Sequence, residues 1–159
     1  PKPNIAVFGT DDVYRSAIAL GGLAALPVEE AINPMTSQDA EGRTLSGASK
    51  YTLRIPANVP VDGFWSLTLY ESDGDGRWFL YDNELDRYAI NSTTPDLVKE
   101  QDGSVLLQLS HHRLSGLANW LPAPEGEFRL VFRAYKPRRD FLDGTFVLPP
   151  VQRIEDRAP

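Results

Sequence analysis

The sequence predicts a mainly β fold, a jelly-roll-like antiparallel β-sandwich with an N-terminal helical appendage. Three observations predict it. After Lys50 the apolar residues recur with period two, as strands with one buried face require. Clusters of Gly, Asp, Ser and Pro separate these runs at short intervals. The strand–helix–strand alternation that marks a parallel sheet is missing.

Taken in order, residues 1–9 are Pro-rich and read as an extended arm. A helix follows, with Thr10 as N-cap, Asp11 and Asp12 at the positive end of the helix dipole, and Gly21 as the left-handed residue past its end. Val13, Tyr14, Ala17 and Ile18 give it one apolar face. Residues 26–49 read as loop, with a turn of helix over Val28–Ile32. Tyr51, Leu53 and Ile55 alternate with polar residues and open the strand series. Trp65, Leu67 and Leu69 follow, then Val105, Leu107 and Leu109, then Phe128, Leu130, Phe132 and Ala134. Weaker strands are predicted over Arg77–Tyr81 and Tyr88–Ile90. Pro137–Leu142 reads as one helical turn, and Val151 and Ile154 as a tail that pairs with a sheet edge. The expected organisation is an arm, helix and loop over 1–45, packed on a sandwich domain over 46–159.

Composition narrows the function classes. At 159 residues, with 42% hydrophobic and 24% charged side chains, the chain can bury a core without staples. Its net charge of −6 argues against a phosphate-backbone partner, so no nucleic acid is expected. With no cysteine, disulfides, thiolate zinc sites and a cysteine nucleophile are excluded. No run of 18 apolar residues is present, so no helical membrane span is expected. No signal peptide is visible, and the start at Pro1 reads as a mature form or a piece of something longer.

Several segments occur in a distinctive order. They are Gly63-Phe64-Trp65-Ser66-Leu67-Thr68-Leu69-Tyr70, Arg87-Tyr88-Ala89-Ile90, Asp102-Gly103-Ser104, Asn119-Trp120-Leu121-Pro122-Ala123-Pro124, Leu142-Asp143-Gly144-Thr145-Phe146 and Pro149-Pro150-Val151. Over residues 45–154 the chain resembles the domain of unknown function 1214 family. The resemblance implies a jelly-roll-like sandwich and a bacterial, envelope-associated (periplasmic) setting. It also implies a place as the C-terminal part of larger proteins that carry a domain of unknown function 1254. It implies no activity and no catalytic residues. One departure is Asn83-Glu84-Leu85-Asp86, where relatives commonly have an Asn-Pro-type turn.

Four features could carry chemistry. Glu71, Asp73, Asp75, Gly76 and Asp82 loosely follow a calcium-loop spacing. Asp-Gly pairs between two strands are also what a hairpin needs, and that is the reading taken. His111 and His112 are adjacent, so on a regular strand they would point to opposite faces and could not chelate one metal. No metal site and no cofactor are expected.

The third feature is a polar–aromatic set: Tyr70, Arg87, Tyr88, Asn119, Trp120, Arg133 and Tyr135. If the strand faces that carry it adjoin, it has the composition of a pocket for a small molecule or a saccharide. Its simpler reading is structural, with Arg stacked on rings and Asn119 holding a corner. The fourth, Lys136, Arg138 and Arg139, reads as a solvated turn.

No Gly-x-Ser-x-Gly elbow or phosphate loop is present. The expected function is therefore a non-catalytic binding or structural module. A hydrolase with its pocket near Arg87, Asn119 and a histidine is the alternative. The partners expected are a small-molecule or saccharide ligand, and a second copy of the chain or a neighbouring envelope protein.

Overall fold

The computed structural model describes residues 12–21, 26–116 and 118–155. The predicted arm at 1–9 and the caps at Thr10 and Asp11 lie outside these residues. Helix α1 spans Asp12–Gly21, and its Val13 is 82% exposed.

Residues 26–49 contain more structure than their punctuation suggests. The Glu30 and Ala31 N–H groups both donate to the Pro27 carbonyl, but the turn stops at residue 30 and does not extend to Ile32 as expected, because Ala31 and Ile32 pair with Tyr135 and Ala134. Two short strands follow, β1 (Ala31–Ile32) and β2 (Met35–Thr36). A two-residue strand has no period to read, so its pairing is decided by its partner. The remaining strands are β3 (Lys50–Ile55), β4 (Trp65–Ser72), β5 (Trp78–Leu80), β6 (Ala89–Asn91), β7 (Val105–Ser110), β8 (Asn119–Pro122), β9 (Phe128–Tyr135) and β10 (Gln152–Ile154). Helix α2, Arg139–Leu142, is the predicted turn after Pro137.

The strands form two sheets. In the first, the long strands β4 and β9 pair antiparallel through the centre. β1 and β2 share the outer side of β9, and β5 and β6 share the outer side of β4. The second sheet has the order β10-β3-β7-β8. Here β10 confirms the expected edge pairing of the tail. One pair departs from an all-antiparallel reading, because β8 runs parallel to β7. The Asn119–Pro122 corner is therefore an edge strand. Pro122 is tolerated there because the last residue of an edge strand has no outer neighbour to receive an N–H.

The two inner faces meet in one core. Trp65, Leu107 and Phe132 are 6%, 0% and 3% exposed. Trp65 stacks on Phe132 with centroids 5.8 Å apart, and Phe132 continues to Phe141 of α2 at 6.3 Å. Leu45, before the expected sandwich boundary, is also fully buried in this core. Burial of apolar side chains at this density is the main stabilising term of the fold.

Two glycines are fixed by close backbone approach. A Cβ on Gly63 would lie 2.7 Å from the Tyr135 carbonyl oxygen, and one on Gly47 only 1.7 Å from that of Pro124. Gly63 thereby lets Tyr135 N–H reach the Phe64 carbonyl, which stacks the Phe64 and Tyr135 rings at 4.4 Å.

Candidate functional site

The seven polar–aromatic residues do not gather in one place. Tyr70 and Arg133 come together on the outward face of the first sheet, because β4 and β9 set Ser66 opposite Arg133 and Tyr70 opposite Arg129. Arg133 Nη1 donates to Thr68 Oγ1 at 2.8 Å, and Nη2 donates to the Tyr70 hydroxyl at 2.7 Å. Tyr135 lies at the end of the same strand, occupied by its stack on Phe64.

Arg87, Asn119 and Trp120 belong to a second place, around β8. Asn119 is 7% exposed. Its Oδ1 accepts from Val98 N–H at 2.9 Å, and its Nδ2 donates to the carbonyls of Val98 and Leu106 at 2.8 and 3.0 Å. Arg87 Nη1 donates to the Trp120 carbonyl at 3.0 Å, and Trp120 Nε1 donates to the Ser110 carbonyl at 3.0 Å. Tyr88 donates to Asp86 Oδ1, and that bond to a carboxylate is the main reason its phenol is held above its ordinary pKa. The turn before Arg87 is built on Asn83, whose Oδ1 accepts from Leu85 and Arg87 N–H. Its Nδ2 donates to the carbonyls of Tyr81 and Arg87, and the Asp86 N–H donates to the Asn83 carbonyl, so Asn83 organises the bend through its side chain and its backbone.

A cleft of about 640 Å³ opens beside this second group. Asp82, Glu84, His111, His112, Arg113 and Trp120 are among its lining residues. The strand-alternation argument for the histidines does not apply, because β7 ends at Ser110. The two rings lie 4.6 Å apart, edge to face, and share the cleft. His111 Nδ1 lies 3.0 Å from the Ala123 carbonyl. A carbonyl only accepts, so that bond puts the proton on Nδ1. Nε2 then faces Glu125 Oε1 at 3.7 Å. Two carboxylates, Asp82 and Glu84, and the Arg113 guanidinium line the cleft. Burial first, and then the charges of Glu71, Glu125, Asp82 and Glu84, raise the pKa of the Tyr81 phenol. Among the described residues no cluster of three or more His, Asp or Glu could hold a metal ion.

The acidic loop is a self-contained turn. Asp73 Oδ1 accepts from Asp75 and Arg77 N–H, and Oδ2 accepts from Arg77 Nε at 2.6 Å. Gly74 and Gly76 supply the positive φ angles. A further cavity of about 280 Å³ leads between the sheets, past Leu53, Leu67, Leu130, Phe132, Leu148 and Pro150. No sequence signal marks it, because its lining consists of ordinary core and loop residues.

The family model described as "Protein of unknown function (DUF1214)" matches residues 30–139, and the chain belongs to that family. Its fold is similar to that of the VPA0106 protein from Vibrio parahaemolyticus, with a TM-score of 0.74 and 24% identity over 89% of this chain. It is also similar to an uncharacterised protein from Burkholderia cenocepacia, with a TM-score of 0.50 and 16% identity over 82% of this chain. The chain spans about a third of those proteins, 35% of the first and 31% of the second. The comparison with curated proteins returned no match.

Proposed function

We propose that this chain is a non-catalytic β-sandwich module that binds or supports its neighbours within a larger, envelope-associated bacterial protein. One observation carries the reading. Asn119, the buried amide that opens the Asn119–Pro124 motif, commits its whole side chain to backbone groups of Val98 and Leu106, and Arg87 gives one N–H to the Trp120 carbonyl. Groups held in this way brace a fold, because turning them to a substrate would break the bonds that tie these backbone segments together. The span of about a third of each solved relative fits a unit within a larger assembly.

A hydrolase is the second reading, and one observation favours it: His111 and His112 share a water-accessible cleft with Asp82 and Glu84. A general base needs such an arrangement. A chromogenic panel of esters, glycosides and phosphate esters separates the two. The module reading predicts no turnover above buffer. Turnover that disappears in His111→Ala or His112→Ala overturns it in favour of the cleft.

A further inference from the structure

The outward face of the first sheet holds two guanidinium groups that make no ion pair among the described residues. Arg43, Arg54, Arg77 and Arg139 all find carboxylates. Arg129 and Arg133 find only neutral partners. Arg129 Nε donates to Ser37 Oγ at 3.2 Å, and its guanidinium lies 4.1 Å from the centroid of the Trp78 ring. Arg133 donates to Thr68 and Tyr70, and its guanidinium lies 5.8 Å from the Tyr70 centroid. Each guanidinium has more N–H donors than these bonds use. Stacking and hydroxyl bonds fix the two cations in place without neutralising them, on a chain whose net charge is −6.

The placement follows from register. Residues four apart in a strand share a face, so Arg129 and Arg133 both point outward with Cα atoms about 13 Å apart. Ser66 and Asn91 continue that face beyond Arg133, with the Phe64–Tyr135 stack near the strand end. Leu80 and Phe64 are 47% and 40% exposed. Flat rings, fixed cations and short polar side chains are the chemistry that meets a sugar ring bearing a carboxylate. A peptide strand finds no equivalent seat here, because β9 is already paired on both sides.

We propose that this face binds an acidic saccharide chain, with Arg129 and Arg133 receiving two separated carboxylates of the chain and the partly exposed Phe64 ring carrying a sugar face. The proposal rests on the reading of the chain as a binding module and names the ligand class and the site.

The test is calorimetric titration of the full chain, at low salt, with oligogalacturonate, neutral dextran oligomers and polyglutamate. Oligogalacturonate should bind and dextran should not. Arg129→Gln and Arg133→Gln should each weaken binding about tenfold, and the double variant should abolish it. Arg139→Gln, a paired arginine elsewhere, should leave binding unchanged. Thermal melts of each variant establish that it is folded. No binding of oligogalacturonate, unchanged binding in the folded double variant, or equally tight binding of polyglutamate would each overturn the proposal. Chain length of the oligogalacturonate after incubation keeps the two readings apart. Cleavage contradicts the non-catalytic module, whereas intact ligand that does not bind contradicts only the saccharide site.

Discussion

Asn119 and Val98 hold each other by two reciprocal hydrogen bonds, the Val98 N–H to Asn119 Oδ1 at 2.9 Å and Asn119 Nδ2 to the Val98 carbonyl at 2.8 Å. The side-chain amide takes the place of a neighbouring strand for the segment that passes the start of β8. Its third bond, to the Leu106 carbonyl, ties that clamp to β7. Asn119, which the sequence offers both as a corner residue and as a ligand contact, is thus the joint between an irregular segment and the parallel pair β7–β8.

Among the described glycines, Gly47 has the least room for a side chain. A Cβ there would fall 1.7 Å from the Pro124 carbonyl oxygen, so the backbone itself must move. Gly126, whose carbonyl receives the Gly47 N–H, has open space around it. Gly47→Ala is expected to cost more than about 3 kcal/mol and Gly126→Ala less than about 1 kcal/mol. Urea denaturation of both variants checks the contrast.

Leu107 tests the core. It is fully buried between the sheets, so Leu107→Ala should cost about 2–5 kcal/mol through lost burial and an unfilled cavity. Leu85, 52% exposed at the rim of the cleft, should tolerate alanine with a change near zero. Equal effects at the two sites in chemical denaturation would contradict the layer assignment.

Acid should weaken the fold through its aspartates. Burial alone pushes the Asp39 carboxyl up, but bonds from the Arg43 N–H and side chain and from the Glu41 N–H outweigh it and hold the group below its ordinary 3.8. Asp102 is held low by the Ser104 hydroxyl and N–H, and Asp143 by the same groups of Thr145. A carboxyl with a depressed folded-state pKa contributes stability that is complete above its unfolded pKa. That contribution is lost as pH falls through the lower folded value. Denaturation midpoints should therefore hold level down to about pH 5 and fall steadily below about pH 4. Asp39→Asn should flatten that fall. An unchanged slope in Asp39→Asn would show that its bonds to Arg43 and Glu41 do not distinguish the two states.

The parts of the fold legible in the sequence were those where a period repeats. Trp65, Leu107 and Phe132 announce their shared core because each sits in a run long enough to show alternation. β1 and β2 have two residues each, and β8 ends in Pro122, so no local pattern reveals them. The site was legible as composition and not as grouping. Tyr70 and Arg133 meet through the β4–β9 register, and Arg87 reaches Trp120 across 33 residues of chain. Neither follows from residue type. Arg129 with Trp78 carried no motif at all, and only the pairing of β4 with both β5 and β9 brings those two groups together.

The central claim, that the distinctive polar residues brace the sandwich, is tested most directly by the unfolding free energy of Asn119→Ala in urea. The clamp predicts a loss of about 1–3 kcal/mol, since truncating this buried side chain removes its three hydrogen bonds to Val98 and Leu106. A stability equal to that of the unaltered chain would contradict it, and would return Asn119 to the residues free to meet a ligand.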